Sequence, residues 1–391
     1  MTVGDEIFVT GMLRSGTTLL EKLLAQQPHL SMLSQPFPLL FVEAKRRFLR
    51  ERGADDEPYP LGHLFGERRY SNDDLRRYLS HWRISREELS ALFERMAGYS
   101  GQWTRFTAEQ LDDAFDTIAD ARDFADVVSG LLHRLVPLHA PGESAIGGRM
   151  TGATRNFRWF GLKETTCEEL LPLFLDSHFR CLLILRDPRD VVASLNHGAG
   201  RAIAGELRPT LFTVRAWRKS VAFAIACEGH PRFHWCRYED LAADPAGVLR
   251  DIAAKLDIDV VDIDFDHLRD ASGVEWSGNS SHHIHAGVSA TSIGVFRTLL
   301  PLEVRRFIEA ASLPELQLLG YETALTRDEA VRALHDFREP YPTRAGIADA
   351  ATPANAQLEE ERLDRLASGD GDDAWFISPV ARDRLRAAFL A

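Results

Sequence analysis

Between a short apolar run, Ile7–Val9, and leucines at helical spacing (Leu19, Leu20, Leu23, Leu24) stand the eight residues G-M-L-R-S-G-T-T, Gly11 to Thr18. A glycine-bracketed turn between a strand and a helix aims successive backbone N–H groups at one point by the helix N-terminus, where an anion such as phosphate is favoured. The loop departs from G-x-x-x-x-G-K-[ST], in which lysine reaches the β and γ phosphates and a hydroxyl binds magnesium. Thr17 holds the lysine position, and the positive charge sits three residues earlier, at Arg14. Farther along, FRCLLILRD ends in Arg186, and Ser194 follows within RDPRDVVASLNHG. An arginine at a strand's C-terminal end and a serine on the next helix can face one site in the crevice where α/β proteins hold ligands. The first offers a charge-assisted fork and the second a short donor. Taken alone, the second motif reads equally well as an arginine paired with Asp187 or Asp190 beside a helix serine. Nearly all the basic residues are arginine, so Lys163, at the end of FRWFGLKE, draws attention as well.

The segment GMLRSGTTLLEKLLAQQPHL resembles the 5′-phosphosulfate loop of the sulfotransferases, including the proline and apolar residue after the helix. Arg186 and Ser194 match the pair that holds the donor's 3′-phosphate in that family. WCRYEDLAADPAGVL is similar to its Y-E-D segment near the adenine, and GNSSHHIHAGVSATSIGVFRTLLPLEVRRFIE to its C-terminal loop. The resemblance covers residues 5–36, 157–260 and 275–322. It implies a fold like that of the P-loop kinases and transfer of a sulfuryl group from PAPS (3′-phosphoadenosine 5′-phosphosulfate) to a hydroxyl or amine. In it Arg14, Ser15, Gly16, Thr17 and Thr18 receive the phosphosulfate and Arg186 and Ser194 the 3′-phosphate. Arg297 returns toward that phosphate, and Tyr238 lies near the adenine, although a core tyrosine is an equal reading of that position.

Sulfuryl transfer builds negative charge on the departing phosphate oxygen, so cations aimed there are the main catalytic need. Arg14 is one. Lys163 is the other, because it occupies the place of the lysine that sulfotransferases carry after this strand; no metal is then required. The base is less plain. Several relatives carry a glutamate shortly after the first helix, where this chain has Gln35, which does not titrate. Glu43, in the apolar run LLFVEAK where burial would raise its pKa, is one candidate, and Glu164 beside Lys163 is another. A histidine is a third possibility, but its usual place in some relatives is Thr165 here. The cluster His282, His283 and His285 lacks companion ligands at zinc spacing and reads as part of a loop. Two competing readings remain at this stage: a nucleotide-dependent kinase of the same fold, and a nucleotide-binding relative without catalysis.

Positioning these residues takes an α/β core. Strand candidates at Ile7–Val9, FRWFGLKE, FRCLLILRD and RFHWCRYED are each followed by a helical pattern, which predicts a parallel sheet flanked by helices, a P-loop-like fold. CEELLPLFLD is expected to form a helix capped by Thr165 or Thr166. Residues 38–155 read as a large helical insertion or cap, and residues 326–391 as a C-terminal helical extension of one 1–391 domain. The insertion is expected to form the acceptor pocket. Its aromatics (Trp82, Phe93, Tyr99, Trp103, Phe106) suggest an apolar or ring-bearing small molecule.

With 391 residues, 45% of them hydrophobic, the chain can bury a large core. A net charge of -12 argues against general affinity for nucleic acid or anionic membrane. The basic run Lys45, Arg46, Arg47, Arg50 and Arg52 reads as the polar face of a helix. No stretch has the apolar length of a membrane span. The opening MTVGDEIFVTG lacks signal-peptide features, and Cys167, Cys181, Cys227 and Cys236 form no C-x-x-C pair. A cytoplasmic protein with reduced thiols is the expectation. The oligomeric state stays open.

Overall fold

The computed structural model describes residues 6–54, 70–97, 106–136, 157–198, 207–269, 275–276, 287–341, 352–370 and 373–391. Its centre is a five-stranded sheet: β1 (Glu6–Thr10), β2 (Leu30–Ser34), β3 (Trp159–Lys163), β4 (Arg180–Leu185) and β5 (Phe233–Arg237). The spatial order is β2-β3-β1-β4-β5, and every pairing is parallel. The predicted parallel α/β core is therefore present. β1 is buried along its whole length, as expected of a central strand covered on both faces.

Because all strands run the same way, their C-terminal ends share one edge. The register sets Val9 and Ser34 beside Lys163, Thr10 beside Leu183, and Leu185 beside Arg237. Gly11, Gln35, Glu164, Arg186 and Tyr238 each follow a strand end, so five separated segments of sequence arrive at a single crevice. From β1 the chain goes to β2 on one side, and it later returns to β4 on the other. Ligands of such sheets bind where connections diverge in this way.

The expected helical block is seen as helices Pro38–Glu51, Asn72–Leu79, Arg86–Ala97, Ala108–Phe115 and Phe124–Leu135. Ser71 with Asp74, and Thr107 with Gln110, form reciprocal capping boxes that fix two of the starts. The block shares one core with the sheet. Phe8 of β1 lies against Phe41 and Phe174, and Phe41 meets Phe124 edge-on at 5.1 Å. Trp82 packs edge-on against Phe124, and Phe93 against Phe37. These aromatics are interior packing residues; Tyr99 and Trp103 lie outside the described residues.

Of the C-terminal helices, Pro353–Ser368 is bound into the body by buried charge, whereas Pro379–Leu390 buries the apolar Ala381 and Leu385. Glu359 accepts from Arg215 Nε at 2.8 Å and pairs with Arg218 at 2.5 Å, while Arg362 pairs with Glu315, and all five side chains are fully buried. All four cysteines are buried and free. Among the described residues no helix is long and apolar enough to cross a membrane.

Two local expectations fail. β2 was not legible as a strand. Thr165 and Thr166 do not cap a helix: a 3-10 turn, Glu168–Leu170, precedes the Leu171–Asp176 helix, and Cys167 at its N-cap position makes no side-chain cap. Thr166 instead adopts φ 55° and sends its N–H to Gly11 O at 2.9 Å. Bracing the phosphate loop, rather than starting a helix, is what this turn does.

Candidate active site

The loop after β1 is shaped by what its atoms touch. Arg14 has φ 68° and Gly16 φ 101°, two left-handed residues that fold the chain back onto the start of the Thr17–Ala25 helix. A Cβ on Gly11 would stand 2.6 Å from Ile184 O, and one on Gly16 2.5 Å from Tyr238 Cδ2, so both positions need glycine. Ser15 is buried, with its N–H at 3.1 Å and its Oγ at 2.6 Å from Met12 O. Thr17 and Thr18 open the helix, presenting its first N–H groups to the crevice.

The second motif reaches this loop directly. Arg14 Nε donates to Ser194 Oγ at 2.9 Å, across 180 residues of sequence. Arg186 Nη1 donates to Arg14 O at 3.1 Å and Nη2 to Ser292 O at 2.5 Å, while its buried Nε has no partner among the described residues. The Arg186 guanidinium lies 4.5 Å over the Tyr238 ring, and Trp217 Nε1 holds the Arg186 carbonyl at 2.7 Å. Tyr238 thus sits between Gly16 and Arg186, part of the crevice as well as of the core. Burial, reinforced by the charge of Arg186, lowers the Arg14 pKa to about 10. Two converging guanidinium groups repel each other, and an anion placed between them would relieve that repulsion.

Lys163 ends β3 and Glu164 follows it, both buried at the same sheet edge. Lys163 Nζ donates to Gln35 Oε1 at 3.2 Å; burial lowers its pKa, and the charges of Glu21 and Glu164 oppose that shift. Glu164 accepts the Phe37 N–H at 3.0 Å. Burial pushes its carboxyl up to about 8, even though the Phe37 N–H and the charges of Lys163 and Lys45 favour ionisation. A carboxyl at about 8 is matched to proton abstraction near neutrality.

One expectation is corrected. Glu43 does not lie in an apolar setting: it is half-buried and receives Arg47 Nε at 2.9 Å, with Glu88 on the same guanidinium. Arg297, expected to return toward the crevice, has a side chain 55% exposed and paired with Glu322 at 3.0 Å. The C-terminal loop is still anchored there, through Ser292 O on Arg186 and through Asp190, which accepts the N–H groups of Gly294 and Phe296. The three histidines of that loop lie outside the described residues. Sequence reading also missed Trp217, Glu21 and Lys45. Glu21, 1% exposed, was discernible as an acidic letter among the buried leucines of its helix.

Residues 6–262, which hold nearly all of this crevice, match the model of the sulfotransferase family. The chain belongs to the sulfotransferase family. Solved structures similar to this sulfotransferase include the sulfotransferase domain of the curacin biosynthetic pathway (17% identity, 83% of this chain and 100% of that one, TM-score 0.43). Another is the sulfotransferase domain of the Synechococcus PCC 7002 olefin synthase (17% identity, 83% and 98%, TM-score 0.44). A third is retinol dehydratase in complex with androsterone and inactive cofactor PAP (14% identity, 83% and 84%, TM-score 0.34). Among curated proteins none matches the sequence.

Proposed function

We propose that this sulfotransferase moves the sulfuryl group of PAPS to a hydroxyl or amine of a small-molecule acceptor. The observation that carries the reading is the Arg14–Ser194 hydrogen bond, together with Arg186 on the Arg14 carbonyl, since it joins the phosphate loop to the distant Arg/Ser motif. One bisphosphorylated nucleotide can then touch both. The buried Arg186 Nε, without a partner among the described residues, fits such a guest.

In this reading the N–H groups of the Thr17–Ala25 helix start and Arg14 receive the 5′-phosphosulfate, while Arg186 and Ser194 grip the 3′-phosphate and Tyr238 borders the nucleoside. The acceptor oxygen or nitrogen forms a bond to sulfur as the bond from sulfur to the bridging oxygen breaks. The electron pair leaves on the 5′-phosphate of 3′-phosphoadenosine 5′-phosphate (PAP), where Arg14 and Lys163 stabilise it. Glu164 takes the acceptor proton. Beside Glu164, the buried Phe37 packs with Phe93 and Phe106. The buried free thiols suit a cytoplasmic setting.

Titration calorimetry with PAP and, separately, with ATP and magnesium tests the donor assignment. PAP is expected to bind at least tenfold more tightly; a preference for ATP–magnesium would return the chain to the kinase reading.

A further inference from the structure

One lysine of the basic run is not on a polar face. Arg46, Arg50 and Arg52 are exposed, whereas Lys45 is 5% exposed and directs its ammonium inward. Lys45 Nζ lies 2.7 Å from Thr166 O, 2.9 Å from Glu169 Oε1 and 3.4 Å from Cys167 Sγ. The other oxygen of Glu169 accepts from Lys219 Nζ at 2.8 Å. Lys219 is also 3.4 Å from Glu168 Oε2, and Ser220 Oγ donates to Glu168 Oε1 at 2.6 Å. Two cations and two carboxylates thus form a neutral buried set. Packed apolar residues of the same volume would serve stability as well or better, so the set calls for another use.

Its connections indicate that use. Lys45 comes from the Pro38–Glu51 helix, Glu168 and Glu169 from the segment after β3, and Lys219 from the Thr210–Cys227 helix, whose Trp217 fastens Arg186. The carbonyl held by Lys45 belongs to Thr166, whose N–H braces Gly11; the next N–H, of Cys167, donates to Thr10 Oγ1 at 3.3 Å. Lys45 therefore fastens the turn immediately after Glu164 to the Pro38–Glu51 helix, and the same turn braces the base of the phosphate loop through the N–H groups of Thr166 and Cys167. The charged and titratable groups acting on Glu164 are Lys163 from β3, Lys45 from the Pro38–Glu51 helix and the thiol of Cys167; Glu168, Glu169 and Lys219 act on Lys45 from behind.

We propose that Lys45 is a positioning residue for sulfuryl transfer, clamping the Thr165–Cys167 turn that directly follows Glu164. The proposal rests on the reading of Glu164 as base. Its test is the carboxyl titration of Glu164, followed by ¹³C resonance in the full chain labelled at glutamate side chains and assigned by the signal lost in Glu164→Gln. In Lys45→Met the titration is expected to move up by roughly one pH unit, since a cation that favoured the carboxylate is gone. The double variant Lys45→Met/Glu169→Gln keeps the buried set neutral and covers the case in which the single variant does not fold; the same upward shift is expected. PAP affinity, read by calorimetry on the same samples, is expected to stay within about threefold of the parent. An unmoved titration, or a loss of PAP binding without a titration shift, overturns the role. Failure of the parent chain itself to bind PAP would instead sink the donor assignment, and the titration would still decide the electrostatic link.

Discussion

Lys163 and Glu164 are consecutive residues with opposite assignments, and each makes a separate prediction. Lys163→Ala is expected to lower turnover of labelled PAPS by about 10²–10³-fold while calorimetric PAP affinity changes little, because the lysine acts on charge that develops only during transfer. With an aliphatic alcohol as acceptor, which does not itself ionise in this range, the rate should climb through about pH 8 and then level off, since the base works as the carboxylate and burial has raised Glu164 to about 8. Glu164→Gln should remove that limb; a rate already level at pH 6 would exclude Glu164. Arg14, Lys163, Arg186 and Ser194 could be picked out in the sequence because Lys163 ends a strand, Arg14 and Arg186 follow one and Ser194 lies on the next helix, each with a side chain suited to an anion. Glu43 misled because its apolar neighbours do not show which way the helix turns it. The spacing of Phe41, Ala44, Lys45 and Phe48 did carry that information: Lys45 falls on the inward stripe, and Glu43 turns outward to Arg47.

At the scale of elements, the phosphate loop depends on two neighbours that arrive much later in the chain. Gly16→Ala is expected to weaken PAP binding by roughly tenfold, because the added methyl meets the Tyr238 ring that supports Arg186, at a left-handed backbone position that also strains alanine. Calorimetry on that variant checks it, and unchanged affinity would show that the Tyr238 contact can relax freely. Four strands could be found from runs of apolar residues, three of them ending in charge. β2 could not: its five residues LSMLS form a strand whose one partner among the described residues, β3, starts 125 residues after β2 ends. Thr166 has the composition of a helix cap, but the carbonyl of Gly11 and the ammonium of Lys45 claim its backbone, and neither competitor is visible locally.

Across the whole molecule, Glu359 of the Pro353–Ser368 helix is paired with Arg215 and Arg218 of the helix whose Trp217 holds Arg186. Burial opposes the ionised form of Glu359, but Arg218 and Arg215 prevail and hold its pKa at about 2. The stability this contributes is present above the ordinary carboxylate pKa and is lost as pH falls from about 4.5 toward 2. Glu359→Gln leaves two buried guanidinium groups without their carboxylate and should cost about 3–5 kcal/mol, seen as a lower Tm at neutral pH and a weaker acid dependence. An unchanged Tm would mean that this network does not hold the extension in place. The extension's importance could not be read from its sequence, because a charged helix of this composition looks like a surface helix until its partners are known. The central claim is that one nucleotide bridges the Arg14 loop and the Arg186/Ser194 pair, and a calorimetric cycle tests it most directly: PAP and adenosine 5′-phosphate, each against the parent chain and Arg186→Ala. The parent should prefer PAP strongly and the variant should bind the two nearly alike, because the 3′-phosphate and Arg186 interact with each other; an equal preference for PAP in both proteins would contradict the account.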